Sequence, residues 1–178
     1  MIRLAGIRDL DAIDCIYQDI HDGEEAGRTT IGWIRSVYPT RATAEASIRA
    51  GDMFVMEEEG MIVAAARINQ EQVPEYAHAA WDVQAPPENV MVLHTLAVSP
   101  KHAGKGYGSR FVAWYEDYAR AHGCPYLRMD TNERNKAARA LYARLGYAEP
   151  DIVDCDFNGI PGVRLVCLEK NLEEEPPC

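Results

Sequence analysis

The chain has 178 residues, 47% of them hydrophobic and 26% charged, ordinary values for a globular protein, and it is long enough to build one core without a metal or disulfide staple. Its 18 Lys/Arg against 28 Asp/Glu give a net charge of −10, which sets the chain as a whole against nucleic acid and anionic membrane surfaces. No apolar run approaches the ~18 residues of a membrane span, and the opening Met1-Ile2-Arg3-Leu4-Ala5-Gly6-Ile7-Arg8-Asp9 lacks the apolar stretch of a secretion signal.

In chain order, residues 2–4 suit a short strand. Residues 9–20 read as a helix, with Leu10, Ile13, Ile16, Tyr17 and Ile20 at helical spacing, and residues 21–27 break it at Gly23 and Gly27. Residues 33–37 suit a short helical piece stopped ahead of Pro39. A second helix over 43–50 closes at Gly51. Two β-rich runs, 53–57 and 61–67, flank Glu58-Glu59-Gly60 as a hairpin. Residues 70–89 contain Pro74, Pro86 and Pro87 and form a long irregular loop, a length that is uncommon unless functional. A strand over 91–98 ends at Ser99-Pro100. A helix over 108–122 carries Phe111, Trp114, Tyr115, Tyr118 and Ala119 on a broad apolar stripe and stops at Gly123. A strand over 126–130, a helix over 135–145 and two strands over 152–157 and 163–170 follow, with a frayed tail from Asn171 to Cys178. The alternation predicts a mixed α/β sheet flanked by helices, in a single domain over residues 1–178 without linker or internal repeat.

The charge is unevenly spread. Between Ser99 and Gly146 nine Lys/Arg stand against four Asp/Glu. One basic stretch in an acidic chain reads either as a place for an anionic ligand or as a solvated helix face. The five cysteines, Cys15, Cys124, Cys155, Cys167 and Cys178, form no C-x-x-C pair. Their odd number and wide spacing argue against a disulfide framework and, with the missing signal, predict a cytoplasmic protein. The histidines are scattered and make no metal-binding cluster, so no metal is expected.

The most informative stretch is Ser99-Pro100-Lys101-His102-Ala103-Gly104-Lys105-Gly106-Tyr107-Gly108-Ser109, between a strand and a helix. Alternate glycines let backbone N–H groups approach a ligand, and the helix N-terminus behind them favours negative charge. A phosphate or pyrophosphate fits this arrangement. The loop is not a P-loop, and its GxGxG differs from the dinucleotide fingerprint GxGxxG. Asp130, at the end of the next strand, nevertheless stands about where a ribose-binding acid would. An NAD(P)-dependent oxidoreductase using Gly104, Gly106, Gly108 and Asp130 is therefore an alternative reading.

Together with Leu96-Ala97-Val98-Ser99-Pro100, Asn135, and Leu141-Tyr142 followed by Leu145-Gly146-Tyr147, this loop resembles the GNAT superfamily of acyl-CoA-dependent N-acyltransferases. The resemblance covers residues 92–147 and implies a cofactor-binding core over about 91–147. It also implies a mixed sheet whose middle strands splay apart around the cofactor. Acetyl-CoA is then the co-substrate, bound by Leu96, Ala97, Val98, Ala103, Gly104, Lys105, Gly106, Tyr107, Gly108, Ser109, Asn135 and Tyr142. The family's loop opens with Gln or Arg where this chain has Ala103, so Lys101, His102 or Lys105 would replace that donor. An acyl-CoA-binding sensor without catalysis is the further alternative this departure raises.

An amine with a pKa of about 10.4 is only about one part in 2,500 unprotonated at pH 7, on the order of 4.6 kcal/mol of barrier. A base is therefore useful, and His94, on the strand before the loop, has a side chain suited to it. In the arylalkylamine branch of the superfamily a base histidine stands two residues before Leu-Ala-Val, as His94 does here. Tyr142 carries the family role of protonating the departing thiolate, although Ala138, Leu141, Tyr142 and Leu145 also share one helical face. Asn135 is a natural helix N-cap, and its implied partner is the pantetheine arm. The resemblance places an oxyanion donor at the backbone N–H near Leu96. Trp33, Tyr38, Tyr76 and Trp81 are the candidate acceptor walls. Glu24, Glu25, Glu75 and Asp82 are acids that would draw a small-molecule or peptide amine, cationic or aromatic. A homodimer is the default among soluble oligomers.

Overall fold

The computed structural model describes residues 1–173. In chain order it contains β1 (Ile2–Leu4), α1 (Leu10–Glu25), α2 (Arg41–Ala50), β2 (Met53–Glu58), β3 (Met61–Asn69), β4 (Val90–Val98), α3 (Tyr107–Ala121), β5 (Tyr126–Asn132), α4 (Lys136–Arg144), β6 (Ala148–Phe157) and β7 (Ile160–Asn171). The expected mixed sheet flanked by helices is the one observed. Its strands run in the order β1-β2-β3-β4-β5-β7-β6. Every neighbouring pair is antiparallel except β4 with β5, which are parallel and joined through α3.

The apolar stripe of α3 buries Phe111, Val112, Tyr115 and Ala119 against Met91, Leu93, Leu127 and Met129 of β4 and β5. Tyr142 and Tyr147 join the same layer. On the opposite face, Ile13, Ile16, Tyr17 and Ile20 of α1 pack on Met53, Val55, Ala65 and Ala97. Beside them Tyr76 and Trp81 of the long loop cover Val90, Val92, Leu165 and Cys167. α3 and α4 therefore lie on one side of the sheet, with α1, α2 and the loop on the other.

Helix limits follow local chemistry. Thr40 caps α2 by accepting from the Thr43 N–H, and Gly51 closes it at φ +78°. Asn135 caps α4 by accepting from the Ala138 N–H at 3.2 Å. Three sequence expectations need correction. The predicted break over residues 21–27 is absent, and α1 runs on to Glu25. An interior glycine costs only about 1 kcal/mol, and Gly23 is buried with Thr29 Oγ1 3.3 Å from where a Cβ would sit. Residues 33–37 are not helical. They form a tight turn in which the Val37 and Tyr38 N–H groups both donate to the Ile34 carbonyl. The tail does not fray at Asn171: Leu172 is buried and its N–H donates to the Pro125 carbonyl. The rest of that prediction, with Cys178, lies outside the described residues.

The loop over residues 70–89 carries two short 3-10 turns, Pro74–His78 and Pro87–Asn89. Arg128, only 6% exposed, reaches into it from β5. Its guanidinium donates to Gln72 Oε1 at 2.6 Å and to the Val83 carbonyl at 2.8 Å, and lies 4.0 Å over the Trp81 ring. Asp151 and Glu169 hold the backbone N–H groups of Ala80 and Asp82.

β4 and β5 pair over only four residues, Val90 to Leu93 with Tyr126 to Met129. Beyond them β4 stays with β3 and β5 stays with β7, so the two strands part. β4 also bulges there. Arg67 pairs with His94 and Ala65 with Ala97, leaving Thr95 and Leu96 opposite Ala66. Thr95 sits at φ +53°, rare for a β-branched residue. Bulges of this kind re-aim side chains beside active sites.

Candidate active site

Where β4 and β5 part, a cavity of about 1100 Å³ opens, lined from both faces of the sheet. On the α3 and α4 side its wall includes Val98, Gly104, Gly106, Gly108, Ser109, Asn135, Ala138, Leu141 and Tyr142. On the other side stand Tyr17, Trp33, Tyr38, Arg67, His94, Thr95, Asp130 and Val163.

The glycine loop forms the first wall. Gly104 and Gly106 adopt φ +78° and +74°, and no atom lies within 4 Å of where either would carry a Cβ. Gly108 abuts Leu141, whose Cδ2 would be 3.2 Å from a Cβ. The first bond of α3 runs from the Arg110 N–H to the Gly106 carbonyl, so the N–H groups ahead of it have no intrahelical partner. Open space, free donors and a helix N-terminus make a cradle whose polarity suits a phosphate or pyrophosphate.

Leu96, Val98, Ala103, Gly104, Gly106, Tyr107, Gly108, Ser109, Asn135 and Tyr142 all line the cavity, whereas Ala97 and Lys105 do not. Ala97 is buried on the α1 side, and Lys105 is exposed. Of the three replacements considered for the donor missing at Ala103, Lys101 is tied to Asp19 of α1 at 2.8 Å. His102 lines the cavity with Nδ1 3.3 Å from Ser99 Oγ. Arg144, which sequence reasoning did not single out, is also in the wall.

His94 is 9% exposed, and its Nε2 lies 3.0 Å from Asn69 Oδ1. Asn69 Nδ2 donates to Asp52, and Oδ1 also accepts the Glu71 N–H. Asn69 therefore offers His94 only an acceptor, which places the ring hydrogen on Nε2 and the lone pair on Nδ1. Burial first, then the nearby Arg67 charge, lower the His94 pKa to about 4. The ring is neutral at pH 7 but far less basic than the unperturbed histidine expected from sequence.

Tyr142 is buried in α4, and burial, with the Asp130 charge, raises its pKa. Its phenol stays protonated throughout the physiological range. Asp130 stands one residue past the last β4–β5 pair. Its Oδ2 accepts the Tyr76 hydroxyl at 2.7 Å, and burial raises its pKa to about 6. Sequence reasoning gave this residue only the ribose role of the dinucleotide alternative.

The four predicted acceptor walls separate. Trp33 and Tyr38 reach the cavity, and the Tyr38 hydroxyl bonds the Thr95 hydroxyl. Tyr76 stands behind Asp130, and Trp81 lies deeper, against Tyr76 and Arg128; neither lines the cavity. The proposed attracting acids also have structural employment. Glu24 accepts the N–H groups of Ile31 and Gly32, and Glu25 pairs with Arg35. Thr95, which also lines the cavity, carried no mark in the sequence, because nothing in its local sequence signals a bulge.

The profile of the acetyltransferase (GNAT) family matches residues 15–147. The chain belongs to this family. Two curated relatives in Bacillus subtilis strain 168 are the uncharacterized N-acetyltransferases YhfO and YesJ. They are 36% identical over 62 residues and 29% identical over 101 residues. Those matches cover 35% and 57% of this chain and 42% and 55% of the relatives, so the chain spans about half the length of the curated relatives it matches. Among solved structures, a GNAT-family acetyltransferase from Streptococcus agalactiae 2603 superposes with a TM-score of 0.82 at 25% identity, covering 99% of this chain and 96% of that one. YncA from Salmonella typhimurium, solved with its cofactor acetyl-CoA, shares the fold at a TM-score of 0.67 and 18% identity, with 100% and 96% covered. Membership in the GNAT family sets aside the dinucleotide alternative, and the parted strands are the splay that the family resemblance implied.

Proposed function

We propose that this GNAT-family chain transfers an acetyl group from acetyl-CoA to a primary amine, small and cationic or aromatic, by direct attack in a ternary complex. The observation that carries the reading is the continuous cavity. It joins the glycine cradle on one face of the sheet to a chamber with aromatic and carboxylate walls on the other.

The cradle is open at Gly104 and Gly106 and suits the pyrophosphate of acetyl-CoA, with residues 91–147 as the cofactor-binding part of a single domain. Bound acetyl-CoA supplies an activated thioester. The N–H groups of residues 104–109 and the α3 N-terminus take the phosphate charge. The Leu96 N–H, in the bulge and without a paired residue on β3, is the donor for the developing oxyanion. Asn135 keeps its Nδ2 for the pantetheine arm while its Oδ1 caps α4. Tyr142 presents a protonated phenol to the departing sulfur. His94, neutral and held by Asn69, shapes the acceptor chamber. Four unpaired cysteines, Cys15, Cys124, Cys155 and Cys167, suit a reducing cytoplasm.

Thermal unfolding with acetyl-CoA, NAD and NADP in parallel tests the cofactor. Acetyl-CoA at 100 times its dissociation constant should stabilise by about 2.7 kcal/mol, a shift of several degrees at this size. No shift, or a larger one with NAD, would remove the reading. Binding without acetylation of any amine in a broad panel would leave the sensor.

Tyr142→Phe should lower kcat by about 10²-fold, within the range of a lost general acid, with acetyl-CoA affinity nearly kept. Steady-state kinetics decide it, and an unchanged kcat would remove the acid role.

A further inference from the structure

On the α1 and α2 side of the sheet the cavity wall holds four charged side chains among the described residues, Asp19, Arg28, Arg67 and Asp130. Three of them are engaged. Asp19 pairs with Lys101 at 2.8 Å. Arg67 donates to Asp52 at 2.8 Å and to Glu71 at 2.5 Å. Arg28 gives its guanidinium to the Asp22 carbonyl at the exposed end of α1. Asp130 accepts the Tyr76 hydroxyl at 2.7 Å, and no Lys or Arg pairs with it among the described residues. Near α2 the hydroxyls are satisfied within the protein. Ser47 Oγ donates to the Thr43 carbonyl, Thr43 Oγ1 accepts the Thr40 N–H, and the Tyr38 and Thr95 hydroxyls bond each other. His94 is neutral at pH 7. Much of the remaining wall is apolar. Ala46 and Ala50 stand on one face of α2, with Met53 and Val73, and with Phe157 of β6 and Ile160 of β7. Both alanines are exposed, so a larger side chain at either enters the cavity rather than the core.

We propose that the acceptor is a primary monoamine with an apolar alkyl or aryl body, and that Ala46 and Ala50 set the size of body that fits. The inference rests on the acetyl-transfer reading. One carboxylate without a cationic partner balances one ammonium. A second charge of either sign, carried a few bonds from the reacting nitrogen, would leave water inside the chamber and meet only groups that are already paired, an arrangement that is costly for an ion. An apolar body has no such cost. It exchanges water for the alanine face of α2 and the side chains of Met53, Val73, Phe157 and Ile160, and that burial favours binding. Short diamines and amino acids are therefore excluded by charge, and bulky bodies are admitted because α2 presents alanines where longer side chains would stand.

The test is kcat/KM at pH 7 with saturating acetyl-CoA for pentylamine, phenethylamine, putrescine and 4-aminobutyrate. Pentylamine and putrescine have the same number of non-hydrogen atoms and differ by a terminal methyl against an ammonium, so their ratio reads the second charge alone. Pentylamine should exceed putrescine and 4-aminobutyrate by about 10²-fold. Ala46→Leu and Ala50→Leu keep good helix formers on α2 and should shift the preference from phenethylamine toward pentylamine by about 10-fold. Thermal unfolding with acetyl-CoA reports that the variants are folded and cofactor-competent, and the comparison of amines on the wild type does not depend on them. Putrescine or 4-aminobutyrate matching pentylamine overturns the proposal, as does a charged or peptidic amine that outpaces both monoamines. A wild-type preference in the folded leucine variants overturns the placement of the body against α2. A wild type that binds acetyl-CoA yet acetylates none of the four amines, nor any other in a broad panel, overturns the transfer reading itself, a result distinct from an active enzyme that prefers putrescine.

Discussion

Arg128→Ala should cost about 3–5 kcal/mol of stability, the range for breaking a buried charge arrangement by removing one partner. Arg128 and Glu169 are 6% and 7% exposed, and the Arg128 Nε lies 4.0 Å from the Glu169 carboxylate. Burial lowers the Arg128 pKa and raises that of Glu169. Each charge is therefore disfavoured where it sits and is held by its other bonds. Removing the guanidinium strands the Gln72 and Val83 acceptors and uncovers the Trp81 ring. It leaves a buried carboxylate whose remaining support is backbone N–H groups such as that of Asp82. Arg128→Met keeps much of the stem's packing and should lose less. Urea unfolding at pH 7 measures both. A loss under about 1 kcal/mol for the alanine variant would mean that the loop over residues 70–89 does not depend on this anchor.

Gly106→Val should weaken acetyl-CoA binding by at least about 100-fold, or ~2.7 kcal/mol. Two causes act at once. Gly106 sits at φ +74°, a conformation costing an L-residue roughly 1–2 kcal/mol and a β-branched one more. The added side chain would also occupy the open space through which the cradle's N–H groups are approached. Gly123→Ala separates the causes. It imposes comparable strain at φ +71°, with no atom within 4 Å, at the far end of α3 and outside the cavity wall. It should lower the unfolding midpoint and leave acetyl-CoA affinity alone. Isothermal titration of the folded variants decides the matter, and wild-type affinity in Gly106→Val would show that the cradle does not hold the anion.

Much of this architecture was legible in the residues themselves. The β2–β3 hairpin followed from two β-rich runs around Glu59-Gly60, and α3 from its aromatic stripe. The glycine loop was visible because alternating glycines before a helix have few structural reasons to exist. Other features had no local mark. At Gly23, inside α1, Thr29 from beyond the helix packs where a Cβ would sit, a contact that the local sequence does not announce. Glu24 looked like a free acid and is a clamp on two backbone N–H groups. Trp81 looked like an acceptor wall, but its depth is set by a cation from another strand. Asp130 was visible as an acid at a strand end, but its hydrogen bond from Tyr76, 54 positions away, had no mark in the sequence. The bulge at Thr95 was invisible, since a positive φ imposed on a threonine by tertiary pairing leaves no trace in composition or spacing.

The short β4–β5 ladder has a mechanical meaning. The strands β1 to β4 form one arm and β5, β7 and β6 the other, each laced by its own antiparallel ladders. Four residue pairs are the root of the fork. The gap widens from that root, where Val92 and Leu127 are both completely buried. Trimming a side chain at the tips deepens the chamber locally, whereas a change of volume at the root acts as a wedge does, displacing everything beyond it in proportion to its distance. Altered acceptor size is therefore most directly sought near the tips, and the root is where a single methyl group would be felt by both substrates at once.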